Sequence, residues 1–124
     1  MYFINEKHRT QYNQTITHLP KHKRDPYHKS FFYLMSLLGY NENTVANLYD
    51  FDKYQILPEN FPGYASSGEN AVYRLAINLY TDRIGGDALG GFEKYTPVEI
   101  FSCVGDAWFN ALIEAIKIRF ERAE

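Results

Sequence analysis

The stretch from Ser66 to Tyr80, SSGENAVYRLAINLY, constrains the fold more than any other part of the chain. Ala71, Val72, Leu75, Ala76 and Leu79 recur at helical spacing, and Tyr73, Ile77 and Tyr80 make a second apolar stripe beside the first. Only Asn70, Arg74, Asn78 and Thr81 remain as a narrow polar seam. A helix that is apolar around most of its circumference needs neighbours on most sides, so this stretch predicts a buried central helix over about 66–82. Its start is marked by Ser66 three residues before Glu69, a spacing that lets each side chain satisfy the other's free amide.

The same punctuation recurs along the chain. Asn5 caps a helix predicted over 6–18, with Tyr12, Ile16 and Leu19 turned to the core, Phe3 in front as a staple, and Pro20 as its stop. Asp25 followed by Pro26 starts a second helix that runs to Leu38 and ends at Gly39. Asn41 or Asn43 caps a short third helix through Tyr49. The prolines and the glycine of residues 50–65 predict an irregular loop, whose Phe51, Tyr54, Ile56, Leu57, Phe61 and Tyr64 pack it across the helices. Glycines 85, 86, 90 and 91 make a second break. Thr96, Pro97 and Glu99 then start a short helix to about Cys103, Gly105 interrupts it, and Asp106 recaps a last helix to about Arg122 with Phe109, Leu112, Ile113, Ile116 and Phe120 on its inner face.

No stretch alternates long enough for a sheet. The class is therefore all-α: a single helical domain spanning residues 1–124, a compact bundle of about five to six helices around the helix at 66–82. One cysteine, Cys103, rules out an internal disulfide framework, and no apolar run approaches the ~18 residues of a membrane span. The opening MYFINEKHRT lacks the pattern of a signal peptide, so a soluble cytoplasmic protein is expected.

Three segments, MYFINEKH, SSGENAVYRLAINLY and KYTPVEIFSCVGDAWFNALIEAIKIRF, together resemble a family of small, uncharacterised bacterial and phage-associated helical proteins, a domain of unknown function. The resemblance spans nearly the full chain, through capping and packing motifs. It implies an intracellular helical fold and a mobile-element context, and it brings no catalytic residues.

Two clusters stand out as candidate sites. Arg74 and Asn78 lie one turn apart on the polar seam, where the planar guanidinium suits a carboxylate or phosphate. The favoured reading is a brace, with Arg74 answered by Glu69, Asp82 or Glu99 and Asn78 bonded to loop backbone. The second cluster is the basic connector from His18 to Lys29, with Lys21, Lys23, Arg24 and Lys29 as phosphate contacts and Tyr27 as a stacking ring. Residues 1–30 carry a balance of +4 and the remainder −6. A chain of net charge −2 lacks the broad basic footprint of a nucleic-acid binder, which favours a solvated corner.

The remaining signals are weak. His18 and His22 have ligand spacing, but Pro20 stands between them, so the histidines read as surface residues with no metal. Asp50 and Asp52 read as a turn. GYASSG is off register for a nucleophile elbow, and the paired glycines lack the Lys-Ser/Thr of a phosphate loop. No motif requires a cofactor. With eleven Tyr and nine Phe, the preferred reading is a non-enzymatic interaction module whose partner is another protein or a second copy of itself. The alternatives are a small anionic-ligand binder or enzyme using Arg74 and Asn78, and nucleic-acid binding through residues 18–29.

Overall fold

The structure is a computed structural model that describes residues 1–39, 42–62, 65–82 and 92–122. Its helices are α1 (Glu6–His18), α2 (Pro26–Leu38), α3 (Glu42–Leu48), α4 (Ser67–Thr81), α5 (Pro97–Phe101) and α6 (Asp106–Arg119), with single 3-10 turns at Lys21–Lys23, Pro58–Asn60 and Phe92–Tyr95. The helical class and the buried helix at 66–82 are as the sequence predicts. Glycines 85, 86, 90 and 91, Asn41 and Tyr64 lie outside the described residues.

The capping residues act as their positions require. Asn5, Asp25, Ser66 and Thr96 each accept a backbone N–H of the following turn, and Ser66 and Glu69 form both halves of the box. Gly39 closes α2 at φ 73°, a left-handed geometry that favours glycine.

α4 shares the centre of the molecule with α2, which packs against α1, α4 and α6 together. Seven consecutive residues of α2, Phe31 through Leu37, are buried, so this helix has no wet face over two turns. α5 and the 3-10 turn at Phe92–Tyr95 rest against α4. Gly68 lies where α4 approaches the α5–α6 link: a Cβ there would meet the Cys103 carbonyl at 3.2 Å and the Trp108 ring.

Two differences from the sequence reading have clear causes. The expected irregular loop contains a small antiparallel ladder, β1 (Tyr49–Asp50) with β2 (Gln55–Ile56), too short for an alternating pattern to register. The inner face of α6 is also rotated from the expected one. Ala111, Leu112, Glu114 and Ala115 are buried, while Phe109 is 43% and Phe120 58% exposed. The small Ala111 and Ala115 belong to the buried face of α6, a helix that packs chiefly against α2, and the larger Phe109 and Phe120 rings lie outside that face. α6 begins at Asp106, with Gly105 at the cap position and no side-chain cap.

The N-terminal segment closes the bundle. The Tyr33 hydroxyl donates to the Tyr2 carbonyl, the Tyr2 hydroxyl donates to Ala107 O at 3.2 Å, and Phe3 packs against His8, Tyr12 and Tyr33. No helix among the described residues is long and apolar enough to cross a membrane.

Candidate functional site

The two predicted clusters have separate fates. Asn78 lines a cleft between α4, α5 and α6, whereas Arg74, one turn earlier, is not among the residues of its wall. Both are partly buried and both are engaged by neighbouring groups. Of the acids proposed for Arg74, Glu69 accepts the Ser66 N–H in the cap, Glu99 lies 3.9 Å from Lys94, and Asp82 pairs with Arg119.

In the basic connector, Arg24 is drawn inward. Its Nε donates to Leu19 O at 2.8 Å and its Nη2 to Thr17 O at 2.9 Å, satisfying carbonyls at the end of α1. Lys23 sits 4.6 Å from the centre of the Tyr54 ring, Lys29 is partly buried, and Lys21 is exposed. The four cations are thus in different settings rather than on one open face.

The histidines correct the surface reading in two of four cases. His18 and His22 are exposed, but His8 and His28 are buried. His8 bridges Tyr33 O at 2.9 Å through Nε2 and accepts the Ile4 N–H on Nδ1. Burial pushes its pKa down, and the bond to Tyr33 O only partly opposes this.

His28 is the centre of a polar chain. Asp25 accepts from its Nδ1 at 2.9 Å, and its Nε2 meets the Tyr49 hydroxyl at 2.9 Å and the Tyr80 hydroxyl at 3.2 Å. Those hydroxyls lie 3.0 Å apart, and Tyr80 donates to Tyr54 O at 3.1 Å. Burial raises the pKa of both phenols. An imidazole oriented by a carboxylate has the layout of a general base. Here, though, the tyrosine hydroxyls occupy the place of a reactant, and the chain ties α2, the hairpin and α4 together. Among the described residues, no three His, Cys, Asp or Glu side chains gather as a metal site.

The arrangement that reaches the surface is built on Arg119, in the last turn of α6. Its Nε donates to Leu79 O at 2.7 Å and its Nη2 to Asp82 Oδ1 at 3.0 Å, so it satisfies the end of α4. Asp82 itself has φ 61°, a left-handed conformation that the pairing holds. The guanidinium carbon lies over two rings, 3.7 Å from the Tyr27 ring centre and 5.2 Å from that of Phe120. Beside it opens the cleft that Asn78 lines, about 310 Å³, with Pro97, Phe101 and Phe120 on its edge. Phe101 meets Phe109 edge to face at 5.3 Å. Tyr27, Phe109 and Phe120 are all substantially exposed.

Phe120 and the largely buried Arg119 thus line the cleft, while Tyr27 lies against Arg119 and Phe109 against Phe101. The sequence reading missed Arg119 and assigned Phe109 and Phe120 to the core. The available signal was the position of Arg119 between Ile118 and Phe120, a charge interrupting an apolar run. A family model matches residues 1–124. The chain belongs to DUF6075, a family of unknown function. No match was found among curated proteins or among solved structures. Membership of DUF6075 therefore identifies the lineage, and the physical reading of the DUF6075 chain rests on its own residues.

Proposed function

We propose that this protein is a non-enzymatic protein-interaction module of the cytoplasm, an accessory protein of a phage or mobile element, that docks its partner on the face around Arg119. The observation that carries this reading is the exposure of Phe120 and Tyr27 beside the Arg119 guanidinium. Aromatic rings and arginine are the side chains most enriched where binding energy concentrates, and a ring already stacked on a fixed guanidinium loses little freedom on binding. Arg119 has its charge answered by Asp82, which suits an apolar protein segment in the cleft better than a free anion.

Photo-crosslinking tests it. A benzophenone side chain is placed at position 120, or at Asn13 on α1 as a control, in cells that naturally carry the gene. The expected result is a discrete adduct from position 120, to another protein or to a second copy of this chain, and none from position 13. Adducts of equal yield from both positions, or none from 120, would overturn the proposal.

A further inference from the structure

A larger cavity lies elsewhere in the molecule, where α1 and α3 flank α2. It measures about 520 Å³, within the usual range of small-molecule sites. Gln11 and His18 of α1 stand on one wall, Phe32 and Met35 of α2 form the floor, and Ala46 of α3 with Phe51 after β1 close the far side. None of its described lining residues is Lys, Arg, Asp or Glu, although 23% of the chain is charged. His18 is the one ionisable side chain among them, so an ion that gives up part of its water here gains little counter-charge in return, which disfavours a charged guest.

Two further observations narrow the class of guest. Phe32 and Phe51 are stacked, with planes 16° apart and centres 5.7 Å apart, and Phe51 is 38% exposed, which leaves an aromatic surface at the mouth. Gln11 Oε1 is buried with no hydrogen-bond partner among the described residues. The amide nitrogen of the same group is not so enclosed; a carboxamide offers an acceptor and donors in one plane, and a buried acceptor left unpaired costs stability, which a guest drawing the Gln11 side chain toward the cavity would relieve. His18 Nδ1, by contrast, is already held by Gln14 O at 2.8 Å.

We propose that this cavity binds a neutral planar heteroaromatic molecule, its ring against the Phe51–Phe32 pair and its polar edge against the Gln11 carboxamide. The site is independent of the face around Arg119.

Nicotinamide and adenine serve as neutral probes and nicotinate as the charged counterpart of the first, each followed by amide chemical shifts of the full chain. The expected result is saturable shifts confined to residues 11–18, 32–36 and 45–51 at probe concentrations up to about 5 mM. Nicotinate should bind about tenfold more weakly than nicotinamide. Ala46→Trp, at an exposed helical position, should fill the mouth and abolish the shifts. Gln11→Leu should weaken nicotinamide about fivefold while leaving the fold intact. The proposal fails if neither neutral probe gives saturable shifts in those segments, if Ala46→Trp leaves them unchanged, or if nicotinate binds as well as nicotinamide.

Discussion

Asp25 holds His28 twice: Oδ1 accepts the His28 backbone N–H at 2.9 Å as the cap of α2, and the same oxygen accepts the imidazole Nδ1–H at 2.9 Å. One carboxylate therefore starts α2 and aims the ring that joins it to Tyr49 and Tyr80. Asp25→Ala should cost about 2–4 kcal/mol, the sum of a lost cap and an orphaned buried donor. Asp25→Asn keeps an acceptor for both bonds and should cost about 1 kcal/mol or less. Urea denaturation of the two variants checks this, and equal losses would contradict the double role. Partial burial alone would raise the Asp25 pKa, but the His28 backbone and side-chain hydrogen bonds outweigh it and hold the carboxyl below its ordinary value. Its stabilisation is thus complete above about pH 4 and disappears as the pH falls through the lowered folded value.

His8 makes the protein sensitive at milder acidity. Its folded pKa is depressed by burial, so the unfolded chain binds the proton more readily. Stability should be fully present above about pH 6.5 and fall as the pH drops below it. The urea midpoint, followed from neutrality downward, should decline in the parent and decline less in His8→Gln. An imidazole titration of His8 with its midpoint at or above the ordinary histidine value would refute the assignment.

At the alkaline end the tyrosines act in the opposite sense. Burial pushes Tyr12 up to about 12, so its contribution is present below about pH 10 and lost as the pH rises through the folded value. Phenolate absorbance should show a late-titrating group that Tyr12→Phe removes. An absorbance curve unchanged by that substitution would count against it.

Arg119→Lys should behave as a severe substitution despite keeping the charge. A lysine cannot donate to Leu79 O and Asp82 in one plane while covering the Tyr27 ring, and about 2 kcal/mol should be lost. Asp82→Asn, which tolerates the left-handed backbone, keeps an acceptor for Arg119 and removes only the charge of an exposed carboxylate, should cost less than about 1 kcal/mol. Thermal unfolding of both variants decides between this account and a simple surface salt bridge, for which the two losses would match.

Tyr73 and Tyr49 are both wholly buried but differ in one respect: the Tyr73 hydroxyl has no hydrogen-bond partner among the described residues, while that of Tyr49 contacts His28 and Tyr80. The Tyr73 ring stacks on Phe61 with centres 4.1 Å apart. Tyr73→Phe should therefore be neutral or stabilising within about 1 kcal/mol, and Tyr49→Phe should cost about 1–3 kcal/mol. Denaturation midpoints that order the two variants the other way would show that Tyr73 has a partner.

Four of the helices were legible because each begins with a local signal whose physics is complete within four residues. Asn5, Asp25, Ser66 and Thr96 needed no knowledge of the fold to be read as caps. The orientation of α6 was not legible, because apolar periodicity counts Phe109 and Phe120 as inward and gives little weight to Ala111 and Ala115, the small residues of its buried face. The Arg119 clamp was hidden for a related reason: Leu79 and Asp82 are forty and thirty-seven residues away, beyond any spacing rule. His28 was partly legible, since the carboxylate capping its helix stands three residues ahead of it. The tyrosines that complete the chain come from the hairpin and α4.

The closure of the bundle by Tyr2 also has a consequence for synthesis on the ribosome. Its hydroxyl reaches Ala107 O, and its N–H lies 3.4 Å from the Glu114 carboxylate. The segment around Tyr2 is translated on the order of ten seconds before α6 exists to receive it. For most of that interval α2 also lacks α4, and for all of it α6, leaving Phe31, Phe32 and Leu34 without their full cover. A nascent chain paused before Ala107 thus lacks the helix that receives Tyr2 and covers α2, and release of α6 is the event that completes the packing.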